Sequence, residues 1–137
     1  MDGARILLCT LCDDVRLEVG NKHTLVGLFD VFDVADFAHA LPAFCVFARL
    51  AVDRPGKHPF ALRLVDGEGD VRMELSGHID ARQPNEASGL FEGIVSAKLV
   101  GVRVARPGRH RVEFVIGGKA LEACGVLVRV AVPRVVQ

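Results

Sequence analysis

Tryptophan and tyrosine are absent from this 137-residue chain, and only Thr10, Thr24, Ser76, Ser88 and Ser96 carry an aliphatic hydroxyl. That scarcity leaves little for nucleophilic chemistry, which needs Ser, Thr or Cys held beside a base. No serine stands in a Gly-x-Ser-x-Gly elbow. No two of the five histidines have His-x-His or His-Glu-x-x-His spacing, and Gly117-Gly118-Lys119 lacks the spacing of a phosphate loop. The sequence therefore singles out no catalytic residue and no cofactor, and the expectation is a protein that is not an enzyme.

Net charge is also missing, since 17 Lys+Arg balance 17 Asp+Glu. A neutral chain lacks the general attraction to phosphate that drives nucleic-acid binding, and lacks a polybasic grip on anionic lipid. Nucleic acid and membrane are accordingly poor candidates as partners. The longest stretch free of Asp, Glu, Lys and Arg, Phe37 to Ala48, falls short of the roughly 20 residues a membrane helix needs. After Met1-Asp2-Gly3-Ala4-Arg5 the apolar run Ile6 to Cys12 stops at Asp13-Asp14 without a small-residue cleavage site, so it does not read as a signal peptide, and the expected compartment is the cytoplasm. The balance hides a gradient: residues 1–40 carry −4, residues 41–97 carry −2 and residues 98–137 carry +6. Such asymmetry either pairs within one sheet or favours a complementary partner.

What is present is alternation. Phe44 to Asp53, Phe60 to Val65, Val71 to Asp80, Arg111 to Ile116 and Val126 to Val132 alternate apolar and polar side chains with a period of two. Turn residues separate the runs at Gly20-Asn21-Lys22, Arg54-Pro55-Gly56, Asp66-Gly67-Glu68-Gly69, Arg106-Pro107-Gly108 and Gly117-Gly118-Lys119. This pattern predicts one domain over residues 1–137, an all-β antiparallel sandwich of about seven to eight strands with an immunoglobulin-like Greek key. Ala35 to Pro42 is the least strand-like piece. Mean hydropathy of +0.32 is high for so small a domain, which predicts apolar surface shared with another protein chain, the likeliest such chain being a second copy.

Four sets of residues are candidates for binding. Phe32, Phe37 and Phe47 belong to a segment rich in phenylalanine, where rings three apart on a strand point to opposite faces, so one face suits an interface. Arg54-Pro55-Gly56-Lys57-His58 is echoed by Arg106-Pro107-Gly108-Arg109-His110. If the two turns met, Arg54, His58, Arg106, Arg109 and His110 would form an anion site. Asp13, Asp30 and Asp33 are candidate metal ligands in an acidic first third that also holds Asp14 and Asp36. Cys9 and Cys12 share a strand and face opposite ways, while Cys45 and Cys124 stand in other apolar segments. All four are expected to be small core fillers in a reducing compartment.

Leu11-Cys12-Asp13-Asp14-Val15, Gly20-Asn21-Lys22, Leu25-Val26-Gly27-Leu28-Phe29-Asp30, Leu41-Pro42 and the late Pro-Gly and Gly-Gly turns together resemble a family of short, single-domain bacterial proteins of unknown function. The resemblance implies a β-sandwich and brings no catalytic residues. The functional expectation is a non-enzymatic interaction or assembly module forming homo-oligomers; the alternative is a small-ligand or metal-ion binding domain.

Overall fold

The computed structural model describes residues 3–131; Met1, Asp2 and Val132 lie outside the described residues. Ten strands follow one another: β1 (Arg5–Glu18), β2 (Lys22–Phe29), β3 (Val31–Val34), β4 (Phe44–Val52), β5 (Gly56–Val65), β6 (Val71–Ala81), β7 (Gln83–Asn85), β8 (Leu90–Leu99), β9 (Gly108–Ile116) and β10 (Lys119–Val130). They form two five-stranded sheets, β2-β1-β4-β8-β7 and β3-β10-β9-β5-β6. The all-β expectation holds. The strand count exceeds the expected seven to eight, because β3 and β7, of four and three residues, are too short to show alternation. β3 also pairs with β10 in parallel, whereas every other pair is antiparallel.

The inward faces supply one continuous core. Val46, Ala48 and Leu50 of β4 meet Leu62 and Leu64 of β5, Val112 and Phe114 of β9, and Val126 and Val128 of β10, all buried. Each strand contributes alternate residues, as a sheet with one dry face requires.

β4 departs from that rule, because Cys45, Phe47 and Ala51 on its outer face are buried as well. Their cover is the β1–β2 hairpin. Phe47 pairs with Thr10, which stands next to the Leu11–Phe29 pair, so in a flat sheet His23 would lie seven residues further along, about 23 Å away. Instead the His23 and Phe47 rings are 5.2 Å apart, and Asn21 at the hairpin tip shares a cleft with Arg49 and Ile94. The hairpin has doubled back over the sheet. It bends where β4 begins, at Asp13 and Gly27, which interrupt the β1–β2 ladder. Gly27 has φ +70°, and a side chain there would also press on the Asp13 carboxylate, so only glycine fits without strain. The expectation that Phe47 presents an exposed ring is thus corrected: it is 5% exposed, covered by His23.

Gly27→Val is expected to cost about 1–3 kcal/mol in urea unfolding. It should also raise alkylation of native Cys45 by iodoacetamide, since the hairpin that shields it loses its bend.

Candidate functional site

The remaining interface residues are also occupied from within. Phe32 is buried, with its ring 4.8 Å from Phe29 and 5.0 Å from Phe44, and Phe37 is half-buried against the core. This aromatic cluster fastens β3 and the chain after it to the open end of the core, and it offers no flat surface. The segment after Phe37 is likewise tied down, as Leu41 N–H donates to Val102 O at 2.8 Å.

The candidate metal ligands do not converge. Asp33 makes a bidentate pair with Arg129, its two carboxylate oxygens 3.0 and 3.2 Å from Nε and Nη2. Asp13 lies beside Gly27, and Asp30 contributes a backbone carbonyl to Leu127 N–H at 2.9 Å. Among the described residues no three His, Cys, Asp or Glu side chains are grouped to hold a metal ion. Asp13 and Asp33 do line one cleft of about 340 Å³ with Phe29 and Pro42.

The two Arg-Pro-Gly turns lie at opposite ends of their sheet. β5 and β9 run antiparallel with Phe60 against Ile116 and Val65 against Arg111. His110 therefore aligns with residue 66, eight residues or about 26 Å from His58. His58 Nε2 donates to Arg54 O at 2.7 Å, in a cleft of about 300 Å³ also lined by Asp53 and Ile116. Arg109 is exposed on β9, and His110 is buried. A shared anion site is excluded by the strand register.

The surface that sequence reasoning missed is the edge of β6. This eleven-residue strand pairs with β5 alone, so among the described residues its outer row of backbone N–H and C=O groups is in no second strand ladder, although its end at Asp80 abuts Gly93 of β8. β8 is similar beyond Glu92, because β7 covers only Leu90 to Glu92. The two edges touch where Gly93 sits against Asp80 and then splay around a groove of about 360 Å³ lined by Phe60, Leu75, His78, Ile94, Ser96 and Lys98. Leu75 and Val71 are 38% and 48% exposed. Gly77 faces the Phe60 ring, whose Cζ would be 2.9 Å from any Cβ there, so the ring covers the backbone of the edge strand. On the outer face Glu74, Ser76, His78 and Asp80 alternate, and Arg72 stands at a β-bulge, between Val71 paired with Val65 and Met73 paired with Leu64. Glu74 pairs with Arg63 at 3.3 Å, and Arg72 Nε is buried without a hydrogen-bond partner among the described residues. The alternation of β6 was legible; its place at the edge depends on strand order, which no local pattern encodes.

Arg106 is saturated by carboxylates rather than open to anions. It reaches Asp66 and Asp70 at 3.4 and 3.3 Å and also pairs with Glu68. Asp66 is fully buried, and its Oδ1 accepts from the N–H groups of Glu68 and Asp70 at 2.9 and 3.0 Å. Burial pushes its pKa up, but the two backbone donors, Arg106 and His110 outweigh that, and the carboxyl lies below its ordinary value. His110 donates from Nδ1 to Gly108 O at 3.0 Å, while its buried Nε2 has no partner among the described residues. These bonds close the β5–β6 turn and place Val71, the first residue of the exposed edge.

Because the folded pKa of Asp66 is depressed, the stability it confers is present above its unfolded value near about 4 and is lost as pH falls through the lower folded value. Urea midpoints measured from pH 7 to pH 2 should fall more steeply for the wild type than for Asp66→Asn, with the difference confined to the acidic end.

No curated protein matches this chain. Among solved structures, a β-glucosidase from Listeria innocua in complex with glucose is similar over 93% of this chain and 16% of its own, at 12% identity and a TM-score of 0.45. The alkylpurine DNA glycosylase AlkC of Pseudomonas fluorescens, bound to DNA containing an abasic site analog, is similar over 93% of this chain and 30% of its own, at 13% identity and a TM-score of 0.40. This chain thus spans less than a third of either enzyme. Residues 7–129 match the model of the family of unknown function DUF6941. That match takes in all the strands from β2 to β9 and most of β1 and β10, and the chain belongs to this family.

Proposed function

We propose that this chain is a non-enzymatic interaction and assembly module whose partner is a second copy of itself, docked edge to edge along β6, with the cytoplasm as its compartment. The carrying observation is the charge order on that edge. A two-fold axis at Ser76 sets antiparallel neighbours so that residue i faces residue j and j faces i. Arg72 then stands opposite Asp80 of the partner subunit, and Glu74 opposite His78 of the partner subunit. Opposed residues of this kind have Cβ atoms about 5 Å apart, within reach of an ion pair. Arg72 Nε, buried without an acceptor in the single chain, gains one. Leu75 and the groove toward β8 supply apolar contact beneath the pairs. The pairing would join the two copies of β3-β10-β9-β5-β6 into a single ten-stranded sheet and cover an edge that is otherwise an aggregation hazard.

The same reading takes the fold to be an immunoglobulin-like Greek key. Its support is strand order: β1-β4-β8-β7 follows the A-B-E-D order of that fold, and β10-β9-β5-β6 follows G-F-C-C′. β6 then takes the position of the added strand of variable-type domains.

Sedimentation velocity tests the assembly. The wild type should sediment as a dimer, Arg72→Asp and Asp80→Arg singly as monomers, and the double variant Arg72→Asp/Asp80→Arg as a dimer again, since the swap restores opposite charges. A wild type that stays monomeric across a concentration series, or a dimer indifferent to both single changes, would refute pairing through β6.

A further inference from the structure

Cys9 and Cys124, 115 positions apart in sequence, bring their sulfur atoms to 3.3 Å of each other. Cys9 lies on β1 of one sheet and Cys124 on β10 of the other, so the contact spans the side of the molecule opposite the β6–β8 groove. β1 pairs with β2 only from Leu11 onward, and β10 pairs with β3 only from Leu127 onward, leaving Arg5 to Thr10 and Lys119 to Val126 as facing edges without an outer strand. Both cysteines are partly exposed. Cys12 and Cys45 are also cross-strand partners, but both are buried beneath the doubled-back hairpin.

We propose that Cys9 and Cys124 form a dithiol that a small-molecule disulfide, such as oxidised glutathione, converts into a disulfide bond clasping the two sheets. The sulfur atoms need approach by little more than about 1.3 Å to reach the bond length of about 2.05 Å. Either thiol can donate in this contact; with Cys9 S–H as the donor, the Cys124 thiol lies below its ordinary pKa and that of Cys9 is pushed up. Cys124, as thiolate, attacks one sulfur of the reagent, breaks its S–S bond and releases one glutathione thiolate. Once Cys124 is capped, the negative charge that held the Cys9 proton is gone. Cys9 then loses that proton, attacks the Cys124 sulfur and expels the second glutathione. Two electrons pass from the protein sulfurs to the reagent, and two protons end on the two glutathione molecules.

The test uses the whole reduced chain treated with oxidised glutathione, quenched and alkylated under denaturing conditions. The expected product has lost about 2 Da and keeps two alkylatable cysteines, Cys12 and Cys45. Trypsin should link the peptide spanning residues 6–16 to that spanning 120–129, and fragment ions between Cys9 and Cys12 locate the bond. Closing a loop of 115 residues should raise the thermal midpoint by about 10 °C over the reduced chain. In Cys9→Ser the reaction should stop with one glutathione on Cys124. Four alkylated cysteines, glutathione persisting on wild-type Cys124, or a bond at Cys12 in place of Cys9 would each overturn the assignment, and the wild-type peptide map decides it even if a variant misfolds.

Discussion

Burial of β4 on both faces is the constraint that organises this molecule. A central antiparallel strand in a two-sheet protein ordinarily dries one face and wets the other. Here Val46, Ala48 and Leu50 meet the core while Cys45, Phe47 and Ala51 also leave water. The second face could not stay exposed without a large apolar patch, and the chain answers by lengthening β1 to fourteen residues, turning, and laying the hairpin back over the sheet. The sharp bend at Gly27 and the long reach of β1 are both consequences of that one requirement. So is the order of the sheet, because β1 must neighbour β4 for its own extension to fold across it.

Electrostatics follow the sheets rather than the chain. The acidic first third and basic last third look like a dipole in sequence, yet the parallel pairing of β3 with β10 sets Asp33 against Arg129, and the loop before β9 delivers Arg106 to Asp66, Glu68 and Asp70. Within the second sheet Arg63 and Glu74 pair across strands and Arg111 pairs with Glu113 along its own. Exposed pairs of this kind add little each. Their combined effect is to set Arg106, Arg111 and Arg129 of the basic last third beside carboxylates.

Much of this was legible in the residues themselves. Alternation located β4, β5, β6, β9 and β10, and Gly117-Gly118 marked the hairpin between the last two. What escaped was whatever depends on strand order. Arg54 and Arg106 look equivalent because their turns are equivalent, and only the antiparallel register of β5 and β9 reveals that they occupy opposite ends. Phe47 looks exposed because its face alternates with a core face, and only the doubled-back hairpin hides it. Cys9 and Cys124 look solitary because 115 positions separate them. β3 and β7 are too short to carry a period at all. Local sequence encodes the strand and its two faces, whereas neighbours within and between the two sheets are set by topology.

The parallel partnership of β3 with β10 bears on how the protein is made. Val31 to Val34 are synthesised 96 positions before the strand they join, Leu127 to Val130. At about 5–20 residues per second, the early segment waits several seconds before its mate exists. The β1–β2 hairpin needs only β4 to dock, and it can settle while the rest of the chain is still in the exit tunnel. Synthesis therefore imposes an order in which the local clasp precedes the long-range one.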